Sequence, residues 1–505
     1  MARNANRYAP VALAACFALA ACEVGPDYQK PAAANPPAYK ESNETAAKAE
    51  GWKPAEPKDT ASRGAWWSIY NDSVLDGIES QVEISNQNLK ASEAAFRQAR
   101  ALVSEARAGY FPVLGANASV QRSGQGAGSN SSSGRTFSTS RAQTQYDLTA
   151  TASWDLDVWG RIRREVESNE ASAQASAADL ASARLSFQSE LAADYFTLRI
   201  DDEQSRLLNA TVDAFQKSLE ITQNRYRAGV AAKSDVAQAQ TQVETTRAQA
   251  IAVGVQRAQL EHAIAVLIGK PPAEFSIEPE PFRSDIPEVP AGVPSTLLER
   301  RPDIAAAERR MAAANAQLGV AIAAYYPDLT LSASYGFVGP VLGSLIQASN
   351  AVWALGPTLA ETIFNGGLRE AQVEAAKAAY DQTVADYRQT VLGGFQQVED
   401  ELSNLRILAQ QARVQEGAVK AAQESERLTL NDYKAGTVAY TSVVTAQATA
   451  LSNEQGLLNI QQAQLAANVA LIQALGGGWT VADLPSGDAP MGDKASGASK
   501  DSKNP

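Results

Sequence analysis

No proline occurs between Pro112 and Pro271, and none between Pro357 and Pro485. An interior proline removes a helical hydrogen bond and clashes with the preceding turn, so long stretches without one are what long helices require. Within them the apolar residues step by 3, 4 or 7. Val373, Tyr380, Val384, Tyr387, Val391, Phe395, Val398, Leu402 and Leu405 form one such series. Leu208, Val212, Phe215 and Leu219 form a second, and Val444, Leu451, Leu458, Leu465 and Ile472 recur every seventh residue. This spacing predicts coiled-coil seams. The runs from about 162 to 227 and from about 368 to 434 would each be roughly 100 Å long as helices, over three times the thickness of a bilayer core.

Four segments between the helices read as strands, at about 112–122, 144–158, 327–338 and 352–363. Tyr146, Leu148, Ala150, Ala152, Trp154, Leu156 and Val158 alternate with Asp147, Thr149, Thr151, Ser153, Asp155 and Asp157. Leu329, Leu331, Ala333, Tyr335 and Phe337 alternate with Thr330, Ser332, Ser334 and Gly336. About ten residues is the length of a tilted transmembrane strand. Strands in lipid must close into a barrel, and the smallest such barrels have about eight. Two, three or four chains would therefore share one barrel. Its wet lumen would be lined by Asp147, Asp155 and Asp157 and be mildly cation-favouring.

The N-terminus reads as a processing signal, residues 1–21. Arg3 and Arg7 precede a short apolar run that ends in Leu19-Ala20-Ala21-Cys22, which resembles a lipobox. Cleavage there makes Cys22 the lipidated first residue, anchored to membrane lipid without crossing it. Glu23 in the next position is compatible, by resemblance to the enterobacterial sorting rule, with passage to the outer membrane. Residues 22–70 form an extended, proline-rich segment, and 481–505 a polar tail expected to be disordered.

The chain is internally duplicated, with repeats expected at 71–268 and 303–480 joined by a proline-rich connection at 269–302. Tyr110-Phe111-Pro112 matches Tyr325-Tyr326-Pro327, and Leu198-Arg199 matches Leu405-Arg406. Tyr226-Arg227-Ala228-Gly229 matches Tyr433-Lys434-Ala435-Gly436. Gly229 and Gly436 are expected to cap the descending helices, and Ser234 and Thr441 to cap the returning ones.

Composition excludes other classes. The formal net charge is −12, with no basic run, so a nucleic-acid partner is not expected. One histidine, His262, and two cysteines leave no set for a His/Cys zinc site or a histidine triad. No nucleophile–base pair or phosphate loop is visible, so neither an enzyme nor a bound cofactor is expected.

Several motifs together resemble the TolC/OprM-like outer-membrane efflux channels, in the NodT-type lipoprotein branch. They are Cys22-Glu23-Val24-Gly25-Pro26-Asp27-Tyr28, Trp66-Trp67, and Trp154-Asp155-Leu156-Asp157-Val158-Trp159-Gly160-Arg161. Leu297-Leu298-Glu299-Arg300-Arg301-Pro302-Asp303-Ile304, Ala312 to Gly319 and Ile363-Phe364-Asn365-Gly366-Gly367 continue the series. The resemblance implies an α+β membrane protein: a homotrimer whose twelve-stranded β-barrel, four strands per chain, continues into a long α-helical coiled-coil tunnel. It also implies an outer-membrane location in a Gram-negative bacterium, extending into the periplasm. The partners implied are a periplasmic membrane-fusion adaptor and an inner-membrane transporter, of resistance–nodulation–division type or another. The role is an exit duct for drugs or other small molecules. Alternatives are the outer channel of a type I secretion or metal-efflux system, or a periplasmic coiled-coil scaffold.

The gate and adaptor-docking surface are expected at the helix tips, Tyr226, Gly229, Asp235, Tyr433, Gly436, Tyr440, Ser442 and Thr445. Relatives ring the aperture with second-repeat Asp residues and a nearby Arg. Val438, Ser442 and Thr445 stand in those positions here. The expected closed state leans less on charge pairs and more on Tyr433, Tyr440 and helix packing.

Overall fold

The computed structural model describes residues 24–32, 36, 39–41, 65–124, 142–282, 286–287, 289 and 300–477. The signal sequence, Cys22, the polar loop between the first two strands, most of 283–299 and the C-terminal tail lie outside the described residues. Among the described residues there are seven α-helices and four strands. In chain order these are α1 (Ser73–Ser85), α2 (Gln87–Ala108), β1 (Val113–Gly124), β2 (Ala142–Asp155), α3 (Arg161–Arg227) and α4 (Lys233–Leu267). They are followed by α5 (Pro302–Ala323), β3 (Asp328–Gly339), β4 (Ala351–Ala360), α6 (Leu368–Ala435) and α7 (Tyr440–Ala474). The two proline-free runs give unbroken helices of 67 and 68 residues. No described helix is long and apolar enough to cross a membrane.

The chain divides into two compact units, Met1–Pro31 with Arg97–Gln174 and Glu308–Asp386, and Ala32–Phe96 with Ala175–Ala307 and Tyr387–Pro505. The first holds the sheet. It is antiparallel throughout, in the order β1-β2-β3-β4. The N-terminal motif is fastened within this unit. Val24 donates its amide to the Trp159 carbonyl, Asp27 pairs with Arg164 at 2.9 Å, and the Tyr28 hydroxyl donates to Glu308 at 2.5 Å.

The second unit holds the main core. Trp66 and Trp67 are buried with Leu75, Ile78, Tyr195, Ile264, Leu465 and Ile472. The coiled-coil positions Leu208, Phe215, Leu219, Tyr387, Val391, Val398 and Leu451 are buried as their spacing requires. Arg301 is buried and donates to Asp303, to Gln397 at 2.8 Å and to the Ala474 carbonyl at 3.0 Å. His262 is an exposed helix residue.

Two expectations are corrected. β2 ends at Asp155, not near residue 158, so Asp157 is not a strand residue. It has a left-handed backbone, and its carboxylate accepts from the Ile162 amide at 2.8 Å and the Arg163 amide at 3.0 Å. Asp157 thus caps the start of α3 and does not line the polar sheet face, because free amides at a helix N-terminus draw a carboxylate. Ser234 and Thr441 are not N-caps. Helices α4 and α7 begin one residue earlier, at Lys233 and Tyr440, and Ala232 and Ala439 stand at their caps without side-chain bonds.

Candidate functional site: an open sheet and a helical tip

The sheet is built from cross-strand rows. Ala116, Ala150, Tyr335 and Trp353 lie side by side, as do Leu114, Ala152, Ala333 and Leu355. Trp154, Leu331 and Pro357 form a third row, and Ala118, Leu148, Phe337 and Ala351 a fourth. Paired residues share a face, so all these side chains form one apolar surface. The rows between them are Ser119, Asp147 and Val338, then Asn117, Thr149, Gly336 and Val352, then Gly115, Thr151, Ser334 and Ala354, then Asp155, Thr330 and Thr358. That face is largely polar. The apolar face is open in the single chain: Trp353 is 75% exposed and Leu359 67%. Among the described residues, β1 and β4 are both free edges of the sheet.

Asp147 sits on the polar face and accepts from the Thr149 hydroxyl at 2.9 Å. Asp155 is at the strand end, paired with Arg161 at 2.7 Å. Aromatic residues cluster where the strands begin or end. Trp159 stacks on Tyr326 with ring centroids 4.9 Å apart and donates to the Pro327 carbonyl, while Trp154 donates to the Tyr110 carbonyl. Ring systems with one apolar body and one polar handle suit a membrane–water boundary.

The helical tip lies in the second unit. Gly229 and Gly436 have φ of +77° and +83°. In each case the glycine amide reaches back to a tyrosine carbonyl, Tyr226 or Tyr433. The next amide reaches the carbonyl before it, Arg225 or Asp432. Both helices thus end in a Schellman motif, as the duplicated Tyr-Arg/Lys-Ala-Gly sequence requires. Tyr433 and Tyr440 are buried and packed with Phe215, Leu219, Ala239, Val243 and Val443. The two hydroxyls of Ser218 and Tyr440 are 3.4 Å apart. Burial raises the Tyr440 phenol pKa above its ordinary value, with nearby Tyr433 and Asp235 adding to the rise.

The eight expected tip residues are therefore not equivalent. Tyr433 and Tyr440 form the core of the tip. Tyr226 is exposed, and Asp235 is half-exposed in the first turn of α4. Ser442 and Thr445 line an open groove with Ala422, Ser425, Thr429 and Thr449. Arg225, the first residue of the tip segment 225–236, belongs to this site through contacts that its sequence position does not announce. Its guanidinium lies 4.7 Å above the Tyr433 ring and donates to the Lys434 carbonyl at 2.9 Å, so the first hairpin grips the second. A signal existed: the duplication aligns Arg225 with Asp432, so opposite charges stand at equivalent places.

Among known proteins, the profile of the outer membrane efflux protein family matches residues 79–270 and 293–477. The probable efflux pump outer membrane protein TtgC of Pseudomonas putida is 31% identical over 466 residues, 92% of this chain and 94% of its own. The cation efflux system protein CusC of Escherichia coli is 27% identical over 466 residues, 92% and 97% of the two chains. The solved outer-membrane channel OprN superposes with a TM-score of 0.81 at 29% identity, covering 91% of this chain and 100% of that one.

Proposed function

The chain belongs to the outer membrane efflux protein family, and we propose that three copies, each giving four strands, close a twelve-stranded barrel that continues into a helical tunnel. The family makes it an outer-membrane efflux conduit that reaches into the periplasm and performs no chemistry. The observation that carries the barrel reading is the open four-stranded sheet, with one largely apolar face and, among the described residues, two free edges. In water such a face would drive aggregation, and in lipid such edges would leave backbone groups unpaired. A barrel shared between copies removes both problems.

In this reading the apolar rows face lipid, and Asp147 and Asp155 line a wet lumen. The N-terminal segment from Cys22 is tied to the membrane by lipid on that cysteine. The two repeats, 71–268 and 303–480, each supply a strand hairpin and a long helical hairpin. The tip around Tyr226, Gly229, Asp235, Tyr433, Gly436, Tyr440, Ser442 and Thr445 is the periplasmic gate and the place where a membrane-fusion adaptor docks. An inner-membrane pump of resistance–nodulation–division type supplies the energy. TtgC and CusC are named for an efflux pump and for cation efflux; the cargo here is read as drugs or other small molecules.

Cysteine labelling in intact outer membranes tests the reading. A water-soluble maleimide should modify Ala354→Cys and Thr358→Cys on the polar face. It should spare Trp353→Cys and Leu355→Cys unless detergent is added, and native mass spectrometry should give three copies. Equal labelling of both faces in membranes would refute the barrel.

A further inference from the structure

The β2–β3 junction joins the second strand of one repeat to the first strand of the other, and β4 and β1 are the edges left over. The internal duplication lets the geometry of the first junction be carried to those edges residue by residue. Two anchors fix the transfer. Tyr110 and Tyr325 place β1 against β3 at an offset of 215 positions. Val113 then corresponds to Asp328, and their hairpin partners, Ser153 and Ala360, lie 207 positions apart. The helix caps take no part in the sheet, yet Gly229 with Gly436 and Gly269 with Gly476 are also 207 positions apart. The two routes agree to the residue.

Resting on the barrel reading, we infer that β4 of one copy pairs antiparallel with β1 of the next in the register of β2 with β3. This places Thr358 opposite Ser119 of the partner subunit, Leu359 opposite Ala118 of the partner subunit and Ala360 opposite Asn117 of the partner subunit. The occupant of the β4 edge is thus a second copy of this chain.

Three observations support the transferred register. First, it keeps the faces: the apolar Leu359 meets an apolar residue and Thr358 a polar one, whereas a slip of one residue would invert every side chain. Second, inside the chain Gly336 lies opposite Thr149, where an added Cβ would come within 2.6 Å of the Thr149 Cα. The transferred register again faces a glycine with a larger residue, Gly356 with Gln121 of the partner subunit. In the single chain the space at Gly356 is open, with nothing within 4 Å of an added Cβ. Third, just beyond β2 the Leu156 amide donates to the Leu329 carbonyl at 3.1 Å. The equivalent bond runs from Ile363 to the carbonyl of Leu114 of the partner subunit. In the single chain Ile363 is 97% exposed and Leu114 77%, the condition of residues awaiting a neighbour.

Disulfide trapping in outer membranes carrying the full chain tests the register. β1 and β4 of one chain are separated by two strands, so a bond between them forms only across copies. Mild oxidation of the double variant Thr358→Cys with Ser119→Cys should give covalent oligomers that survive denaturation without reductant. Pairing Thr358→Cys with Asn117→Cys or with Gln121→Cys, each two residues out of register and about 7 Å further along, should cross-link at less than a tenth of that yield. The single-cysteine variants, checked for export activity, set the background. Cross-linking of a shifted pair in place of the first would overturn the register and leave the barrel standing. No cross-link from any pair, in oligomers of verified mass, would overturn the β4–β1 pairing and the shared barrel together.

Discussion

Tyr433 and Tyr440 meet edge to face across the turn of the second hairpin, with ring centroids 5.1 Å apart at an interplanar angle of 61°. Arg225 from the first hairpin covers the Tyr433 ring. The tip is therefore held by an aromatic clasp with one cation over it. Truncating a buried aromatic costs about 3–5 kcal/mol, which is large against the energy of a local opening. Tyr440→Ala should loosen the tip and raise uptake of a hydrophilic dye through the channel. Tyr440→Phe removes only the hydroxyl near Ser218 and should leave uptake close to the parent's. Arg225→Ala should fall between them. Dye uptake by cells carrying each variant, at matched amounts in the outer membrane, checks the order.

The helix-ending glycines share a left-handed backbone but not their surroundings. At Gly229 an added Cβ would meet nothing within 4 Å, whereas at Gly269 it would lie 2.2 Å from the Ser85 carbonyl oxygen and at Gly476 2.1 Å from that of Arg300. Left-handed strain alone costs about 1–2 kcal/mol for a residue with a side chain. Gly229→Ala should therefore be tolerated with a small loss of stability. Gly269→Ala and Gly476→Ala should sharply reduce the folded protein recovered from membranes. Heat-modifiability on gels compares the three.

Glu79 is fully buried in α1, and among the described residues neither carboxyl oxygen has a hydrogen-bond partner. Burial pushes its pKa up to about 9. The folded chain keeps a proton that the unfolded chain releases above about pH 4.5. Stability therefore falls as pH rises from there towards 9, and the penalty is absent below that window. At pH 7 it is on the order of 3 kcal/mol. Glu79→Gln should flatten the pH dependence and raise the unfolding temperature more at pH 8 than at pH 5. Thermal unfolding of the detergent-solubilised protein at the two pH values reads the difference.

Arg301 forks onto Asp303, with contacts of 3.0 and 2.6 Å, while also donating to Gln397 and the Ala474 carbonyl. A lysine cannot make this planar set of bonds. Arg301 is buried while Asp303 is half-exposed, and a buried acceptor left without its donor costs about 1–3 kcal/mol. Both Arg301→Ala and Arg301→Lys should lower the amount of folded protein, with lysine giving little rescue. Quantitative blotting of outer-membrane fractions decides this.

The helices were legible because their signals are local and redundant. Prolines bound them, Val391 and Val398 mark the seam, and Gly229 and Gly436 end the turns. The strands were legible from alternation, but alternation does not stop where pairing stops. Leu156, Asp157 and Val158 continue the pattern of β2 past its end, and only the competition from the first amides of α3 takes Asp157 out of the strand. Ser234 and Thr441 misled for a related reason: a hydroxyl one turn from a glycine reads as a cap, yet the tight turn starts each helix on an uncapped alanine. Arg225 falls in the tip by its place in the sequence, but its role does not show there, because its partners, the Tyr433 ring and the Lys434 carbonyl, lie over 200 positions away. The strand register was not legible at all, since the alternating pattern fits any slip of two residues equally well.

Single-channel conductance of the purified protein in a planar bilayer tests the gated duct most directly. A small, fluctuating conductance that rises severalfold in Tyr440→Ala and not in Tyr440→Phe is the expected result. No conductance from oligomers of verified mass, with the tip intact or with Tyr440→Ala, would contradict it and leave a periplasmic scaffold as the better description.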